Sequence, residues 1–164
     1  MNLVKLIEVY EFAREAHGEQ KRKTGERYIT HPIAVANIAI EHGADEETIY
    51  ACLLHDVVED TSVKLNEIRE RFGENVAFLV DAVIKESSLL DTFNKIKTFA
   101  EKDPRVLLIK LADRVHNTQS LNENGLEKTR EKYKISNQFY IKTGFDFGYD
   151  SLAEKLDSLT KQLL

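Results

Sequence analysis

Apolar residues recur at three- and four-residue steps along most of the chain, the period of an α-helix with one buried face. Leu3, Leu6, Ile7, Tyr10, Ala13 and Ala16 mark a first helix ending near Gly18. A polar stretch follows from Glu19 to Tyr28. Thr30 is placed to cap a second helix whose early Pro32 needs no N–H; Val35, Ile38 and Ala39 form its buried face and Gly43 stops it. Asp45 caps a third, which carries Ile49, Cys52, Leu53, Val57 and Val58 inward until Thr61-Ser62 interrupts it. A shorter helix then ends at Phe72-Gly73, and Glu74 to Lys85 is again amphipathic. Ser87 to Lys102 is more polar and more weakly periodic. Pro104 opens a helix that Val106, Leu107, Ile109, Leu111, Ala112 and Val115 make apolar on most sides, as in the middle of a bundle. Two more run from Leu126 to Ile141 and from Ser151 to Leu163, with Gly144 to Tyr149 between them. No alternating strand pattern occurs, so the expected class is all-α.

Composition narrows this picture. A chain of 164 residues without linker or repeat reads as one domain, residues 1–164. Cys52 is the one cysteine, which excludes an intramolecular disulfide and a thiolate metal cluster and suits a reducing cytoplasm. The balance of 23 Lys+Arg against 28 Asp+Glu gives a net charge of −5, which argues against a general nucleic-acid or membrane-surface binder. No apolar run reaches the length of a signal peptide or a membrane span. A soluble cytoplasmic protein is expected.

Ionisable groups interrupt the apolar pattern at three places. His31 stands at a helix start beside Pro32, His55-Asp56 lies in Leu53-Leu54-His55-Asp56-Val57-Val58-Glu59-Asp60, and Asp113 lies in Lys110-Leu111-Ala112-Asp113-Arg114-Val115-His116-Asn117. Burying such groups is unfavourable unless something pairs with them, and a metal ion is one partner that serves all of them. Mixed imidazole and carboxylate donors suit manganese, iron or zinc. On this reading His31, His55, Asp56 and Asp113 meet from three helices. Each segment also has an ordinary alternative: a surface His-Asp pair, a capping histidine, a salt-bridged helix face. Their conjunction favours the metal. Glu59 and Asp60 follow His55 and Asp56 by four residues, which on one helix sets them beside the metal for general acid–base work; otherwise they simply end the helix before Thr61.

The loop Lys21-Arg22-Lys23-Thr24-Gly25-Glu26-Arg27-Tyr28 reverses the sign of an acidic chain just ahead of His31. Its cations suit phosphate oxygens and the Tyr28 ring suits a base, although a solvated surface loop is the commoner meaning of such a run. Lys110 and Arg114 add positive charge from another wall, and Asn117 is one turn after Asp113, placed to bond a sugar or phosphate.

Three segments, 23–32, 55–61 and 110–117, together resemble the hallmark stretches of HD-domain alarmone hydrolases, the hydrolase half of the RelA/SpoT homologues and the stand-alone Mesh-type enzymes. The likeness runs from about His17 to Leu121. It implies an HD-domain helical bundle, one bound manganese ion, and an enzyme that hydrolyses the 3′-diphosphate of guanosine tetra- or pentaphosphate to GDP or GTP and pyrophosphate. It also implies metal ligation by His31, His55, Asp56 and Asp113, catalysis by Glu59 and Asp60, nucleotide contacts at Arg22, Lys23 and Thr24, and support of the sugar by Asn117. The chain departs from the pattern at Thr24, Arg27, Ile84 and Thr118-Gln119-Ser120, where substrate fit is decided, while every ligand and acid is kept. Its end at Leu164 predicts hydrolysis without a synthetase domain. The rival expectations are another HD phosphohydrolase, of 5′-nucleotidase or NADPH-phosphatase type, and a degenerate nucleotide-binding HD domain.

Overall fold

Helix boundaries follow local chemistry. Asn2, Asp45 and Ser88 accept from the backbone N–H three residues on, at 3.2, 2.9 and 3.0 Å, and so cap the helices they precede. Past the helix ends, Gly43 and Gly73 take φ values of +82° and +96°, which other residues rarely adopt. The computed structural model describes residues 1–124 and 127–163. Among them the helices are α1 (Leu3–His17), α2 (Thr30–Glu41), α3 (Glu46–Leu54), α4 (Val57–Asp60), α5 (Leu65–Phe72), α6 (Glu74–Val83), α7 (Leu89–Lys102), α8 (Arg105–Asn124), α9 (Glu127–Asp146) and α10 (Asp150–Lys161). No β-strand forms among the described residues, so the all-α expectation holds.

The middle of the bundle is α8, which packs against α2, α3, α6, α7, α9 and α10. Val106, Leu107, Leu108, Ile109, Leu111, Ala112 and Val115 are buried along it, as its nearly continuous apolar run requires. Against α8 lie α2 with Val35 and Ala39, and α3 with Ala51, Cys52 and Leu54. The start of α2 and the end of α3 meet the middle of α8, where His31 and His55 face Asp113. Among the described residues no helix is long and apolar enough to cross a membrane.

Local details differ from the sequence pattern. Thr30 is the first residue of α2 and not its cap: Ile29 ahead of it is already helical, and the Thr30 hydroxyl donates to the Arg27 carbonyl at 2.8 Å. The third helix does not continue to Thr61 but stops at Leu54 and restarts at Val57. At the other end α9 runs on through Gly144 to Asp146, and its expected start, Leu126, lies outside the described residues. Gly144 is there for closeness, since a Cβ would stand 2.9 Å from the Ala153 Cβ and 3.2 Å from Leu111 Cδ1. The basic segment before α2 forms a small hairpin: Lys21 and Arg27 pair, Arg22 N–H donates to the Glu26 carbonyl at 2.9 Å, and Gly25 turns it with φ +92°.

Candidate metal centre

The interruption between α3 and α4 makes the site. His55 Nδ1 lies 2.7 Å from the Cys52 carbonyl, which can only accept, so Nδ1 carries the proton and the neutral ring's lone pair is on Nε2. That Nε2 is buried and makes no hydrogen bond of its own. It lies 3.1 Å from Asp56 Oδ2 and 3.8 Å from Asp113 Oδ1. The first turn of α2 brings His31 Nε2 to 3.5 Å from Asp56 Oδ2 and 3.2 Å from Asp113 Oδ1. One ligand atom each of His31, His55 and Asp56 lies within 4.8 Å of the other two. His31, His55 and Asp113 are 1%, 3% and 6% exposed. Two imidazole nitrogens and two carboxylate oxygens face one another from α2, the α3–α4 junction and α8, donor types that could hold a transition metal, and the orphaned His55 Nε2 fits such a role.

Electrostatics agree. Burial alone would lower the His55 pKa, but the charges of Asp56 and Asp113 outweigh it and raise it to about 9. Burial would likewise raise both aspartates, yet His55 holds Asp56 below the usual carboxylate range and Lys110, with the histidines, does the same for Asp113. A buried carboxylate at Asp113 and a partly buried one at Asp56 therefore favour a cation between them. A proton on His55 meets that need, and a metal bound there would take its place, because a ligating imidazole must be deprotonated.

The ligands are held from behind. His31 Nδ1 faces His116 Nδ1 at 2.7 Å. Burial and the neighbouring His31 lower the His116 pKa to about 4, so the His116 ring is neutral and one of the two Nδ1 atoms donates to the other. Lys110 is buried with its Nζ 3.3 Å from Asp113 Oδ2, which leaves Oδ1 toward the histidines. The Asn117 amide donates to Asp113 Oδ1 and its oxygen accepts from Arg22 Nη2 at 3.0 Å. Tyr28 places its hydroxyl 2.7 Å from Asp56 Oδ2 and 2.9 Å from Asp60 Oδ2.

Not every residue named from the sequence joins this cluster. Asp60 reaches it through Tyr28, whereas Glu59 turns to Lys85 and accepts from its main-chain N–H at 3.0 Å and its Nζ at 3.1 Å. Lys23 and Thr24 are exposed in the hairpin turn. One face of the Tyr28 ring is stacked on His17, with centroids 4.6 Å apart. Lys110 serves Asp113 from within the core. Arg114 points to α9, where it donates to Asn137 Oδ1 and Ser136 Oγ at 2.6 and 2.7 Å and lies over the Tyr133 ring. Sequence reasoning gave no role to His116 or Lys85. For His116 a signal existed, since it sits three residues after Asp113 on the same helix face; for Lys85 there was none.

The HD-domain family model matches residues 9–142, and the chain belongs to that family. Its relatives narrow the class. It is 44% identical over 154 residues to the guanosine-3′,5′-bis(diphosphate) 3′-pyrophosphohydrolase of Aquifex aeolicus, a match covering 90% of this chain and 22% of that one. It is 40% identical over 162 residues to a GTP pyrophosphokinase of Streptomyces coelicolor, covering 94% of this chain and 19% of that one. The chain thus spans about a fifth of the length of these relatives. Among solved structures it superposes with a TM-score of 0.82 and 28% identity, over 100% of this chain and 99% of the other, on a metazoan ortholog of SpoT described as hydrolysing ppGpp and acting in starvation responses.

Proposed function

We propose that the chain is a manganese-dependent hydrolase that removes the 3′-diphosphate of guanosine tetra- or pentaphosphate, leaving GDP or GTP and pyrophosphate. The observation that carries this reading is the convergence of His31, His55, Asp56 and Asp113 in a largely buried cluster, with Asp60 joined to it through Tyr28. Relatives named for hydrolysis and for synthesis align with the same stretch, and this donor set favours hydrolysis. His31, His55, Asp56 and Asp113 would hold the ion. Bound there, a divalent cation supplies Lewis acidity, which polarises a phosphate oxygen and makes water more acidic.

The chain's own residues do the rest. Water attacks the phosphorus attached to the 3′ oxygen, the bond from that phosphorus to the 3′ oxygen breaks, and pyrophosphate leaves. One proton must leave the water and one must reach the 3′ oxygen. Glu59 and Asp60 are the acids that accept and return them, a service worth about 10²–10⁴-fold. Arg22 and Lys23, with Thr24, present the hairpin's cations and hydroxyl to the phosphates, and Asn117 faces the sugar. In this reading residues 1–164 act as one unit on a small nucleotide in the cytoplasm, without nucleic acid or membrane.

The test is hydrolysis of guanosine tetraphosphate by protein stripped with chelator and reloaded with manganese, magnesium or zinc, following GDP and pyrophosphate together. Activity should vanish on stripping, return best with manganese, and be absent in His55→Ala. Full turnover after exhaustive chelation overturns the proposal, as does phosphate release from NADPH or a 5′-nucleotide with none from guanosine tetraphosphate.

A further inference from the structure

Glu59 is held on both carboxylate oxygens by one residue from another part of the chain. Oε2 accepts the Lys85 N–H at 3.0 Å and Oε1 lies 3.1 Å from Lys85 Nζ. The N–H is available because α6 ends at Val83 and Ile84 turns to extended backbone, φ −62° and ψ 133°, so no helical carbonyl claims it. The two side chains differ in exposure: Glu59 is 19% exposed and Lys85 66%. An ion pair this open adds little to stability, so stability does not explain the double grip. Nor is Lys85 remote from the metal centre, since the charges of Asp56 and Lys110 both act on its ammonium.

We propose that Lys85 is a positioning residue for the hydrolytic reaction, fixing the Glu59 carboxylate in the orientation from which it exchanges a proton with water. A carboxylate has about four lone-pair positions, of which Lys85 occupies two. The clamp therefore sets the direction of the remaining pairs without closing them. The main-chain bond places Oε2 whatever the side chain at 85, and the ammonium determines which way the carboxylate rotates about it. This inference rests on the hydrolase reading, in which Glu59 handles a proton.

The test is a double-mutant cycle in the full chain loaded with manganese, read as single-turnover hydrolysis of guanosine tetraphosphate with KM, metal content and melting temperature measured on the same samples. Lys85→Met should slow the chemical step roughly 10- to 100-fold, as misplacement of a reacting group does. KM, manganese stoichiometry and melting temperature should stay near wild type, and Lys85→Arg should recover most of the rate. In a Glu59→Gln background Lys85→Met should add nothing, because residues acting as a unit are not additive. A further loss in that background, or a raised KM with an unchanged rate, shows that Lys85 meets the substrate directly and overturns the proposal; an unchanged Lys85→Met also overturns it. Wild-type protein that leaves guanosine tetraphosphate intact is a different result, the failure of the hydrolase reading itself.

Discussion

His31 and His116 meet nitrogen to nitrogen, their Nδ1 atoms 2.7 Å apart and their rings tilted by 31°. A single proton lies between them. For His31 Nε2 to bind a cation its lone pair must face Asp56 and Asp113, which puts the proton on His31 Nδ1 and makes His116 the acceptor. His116 thereby sets the tautomer of a candidate metal ligand. His116→Phe keeps a ring in the half-buried position and removes the acceptor, so the dissociation constant for manganese should rise about 10- to 100-fold, the usual loss for a partner behind a ligand. Competition against a fluorescent chelator measures it. Wild-type affinity in His116→Phe would separate His116 from the centre.

The sequence offers the Tyr28 ring as a platform for a base, and the structure gives its hydroxyl separate work between Asp56 and Asp60. Burial and the two carboxylates push its pKa up, so the group stays protonated and always has a hydrogen to donate. Tyr28→Phe separates the roles because it keeps the ring. A hydrogen bond to a charged group is worth about 1.5–3 kcal/mol, so kcat should fall about 10- to 100-fold with KM little changed. An unaltered kcat would leave only the ring to matter.

Much of this was legible in the sequence, for physical reasons. Asp45 and Gly43 mark helix ends because the unpaired N–H groups and the left-handed turn each select a residue type. The candidate metal donors stand out because charged groups lie in apolar helical stretches. What escaped was set by tertiary contact. The break after Leu54 is invisible to periodicity, since apolar residues continue on both sides at helical spacing. Gly144 reads as a breaker, but its use is the close approach of Ala153 and Leu111 across helices. In sequence Lys110 and Arg114 look alike as cations for substrate, whereas in the fold one is buried against Asp113 and the other reaches α9. Lys85 is 26 residues from Glu59, beyond any local signal.

Arg105 makes the fold depend on pH away from the metal. Its Nη1 lies 2.8 Å from both Asp45 Oδ2 and Glu47 Oε2, and its Nη2 lies 2.7 Å from Asp103 Oδ2, which ties the start of α8 to the start of α3. The Arg105 hydrogen bond holds Asp103 below the usual carboxylate range. Burial would raise Asp45, but the Thr48 hydrogen bonds and Arg105 bring it below that range as well. Carboxyls lowered by folding stabilise the protein above their unfolded pKa, about 3.9, and lose that contribution as pH falls through the folded value. The pairs are partly exposed, so their worth is about 1 kcal/mol and Arg105→Met should melt about 2–4 °C below wild type at pH 7. The gap should close as pH drops below about 4. A gap that stays constant to pH 3 would mean that Arg105 stabilises by packing alone.

Arg22 joins the basic hairpin to the metal site through Asn117. By taking Asn117 Oδ1 at 3.0 Å it fixes the amide so that Nδ2 donates to Asp113 Oδ1, the oxygen facing both histidines. The same guanidinium has five N–H donors in a planar fork suited to phosphate, so it can serve a substrate and steady a ligand at once. The two services separate by mutation. Arg22→Ala removes a charge-assisted bond worth about 1.5–3 kcal/mol, so KM for guanosine tetraphosphate should rise about 10- to 100-fold. Manganese affinity should move less, because Asn117 still donates to Asp113. Arg22→Lys keeps the charge but not the fork and should fall between. Asn117→Ala removes the donor at Asp113 itself and should weaken metal and substrate together. Metal titrations and KM values on the same preparations decide the matter. If Arg22→Ala weakens manganese as much as Asn117→Ala does while KM at saturating metal stays at the wild-type value, the hairpin braces the metal centre and does not hold phosphate.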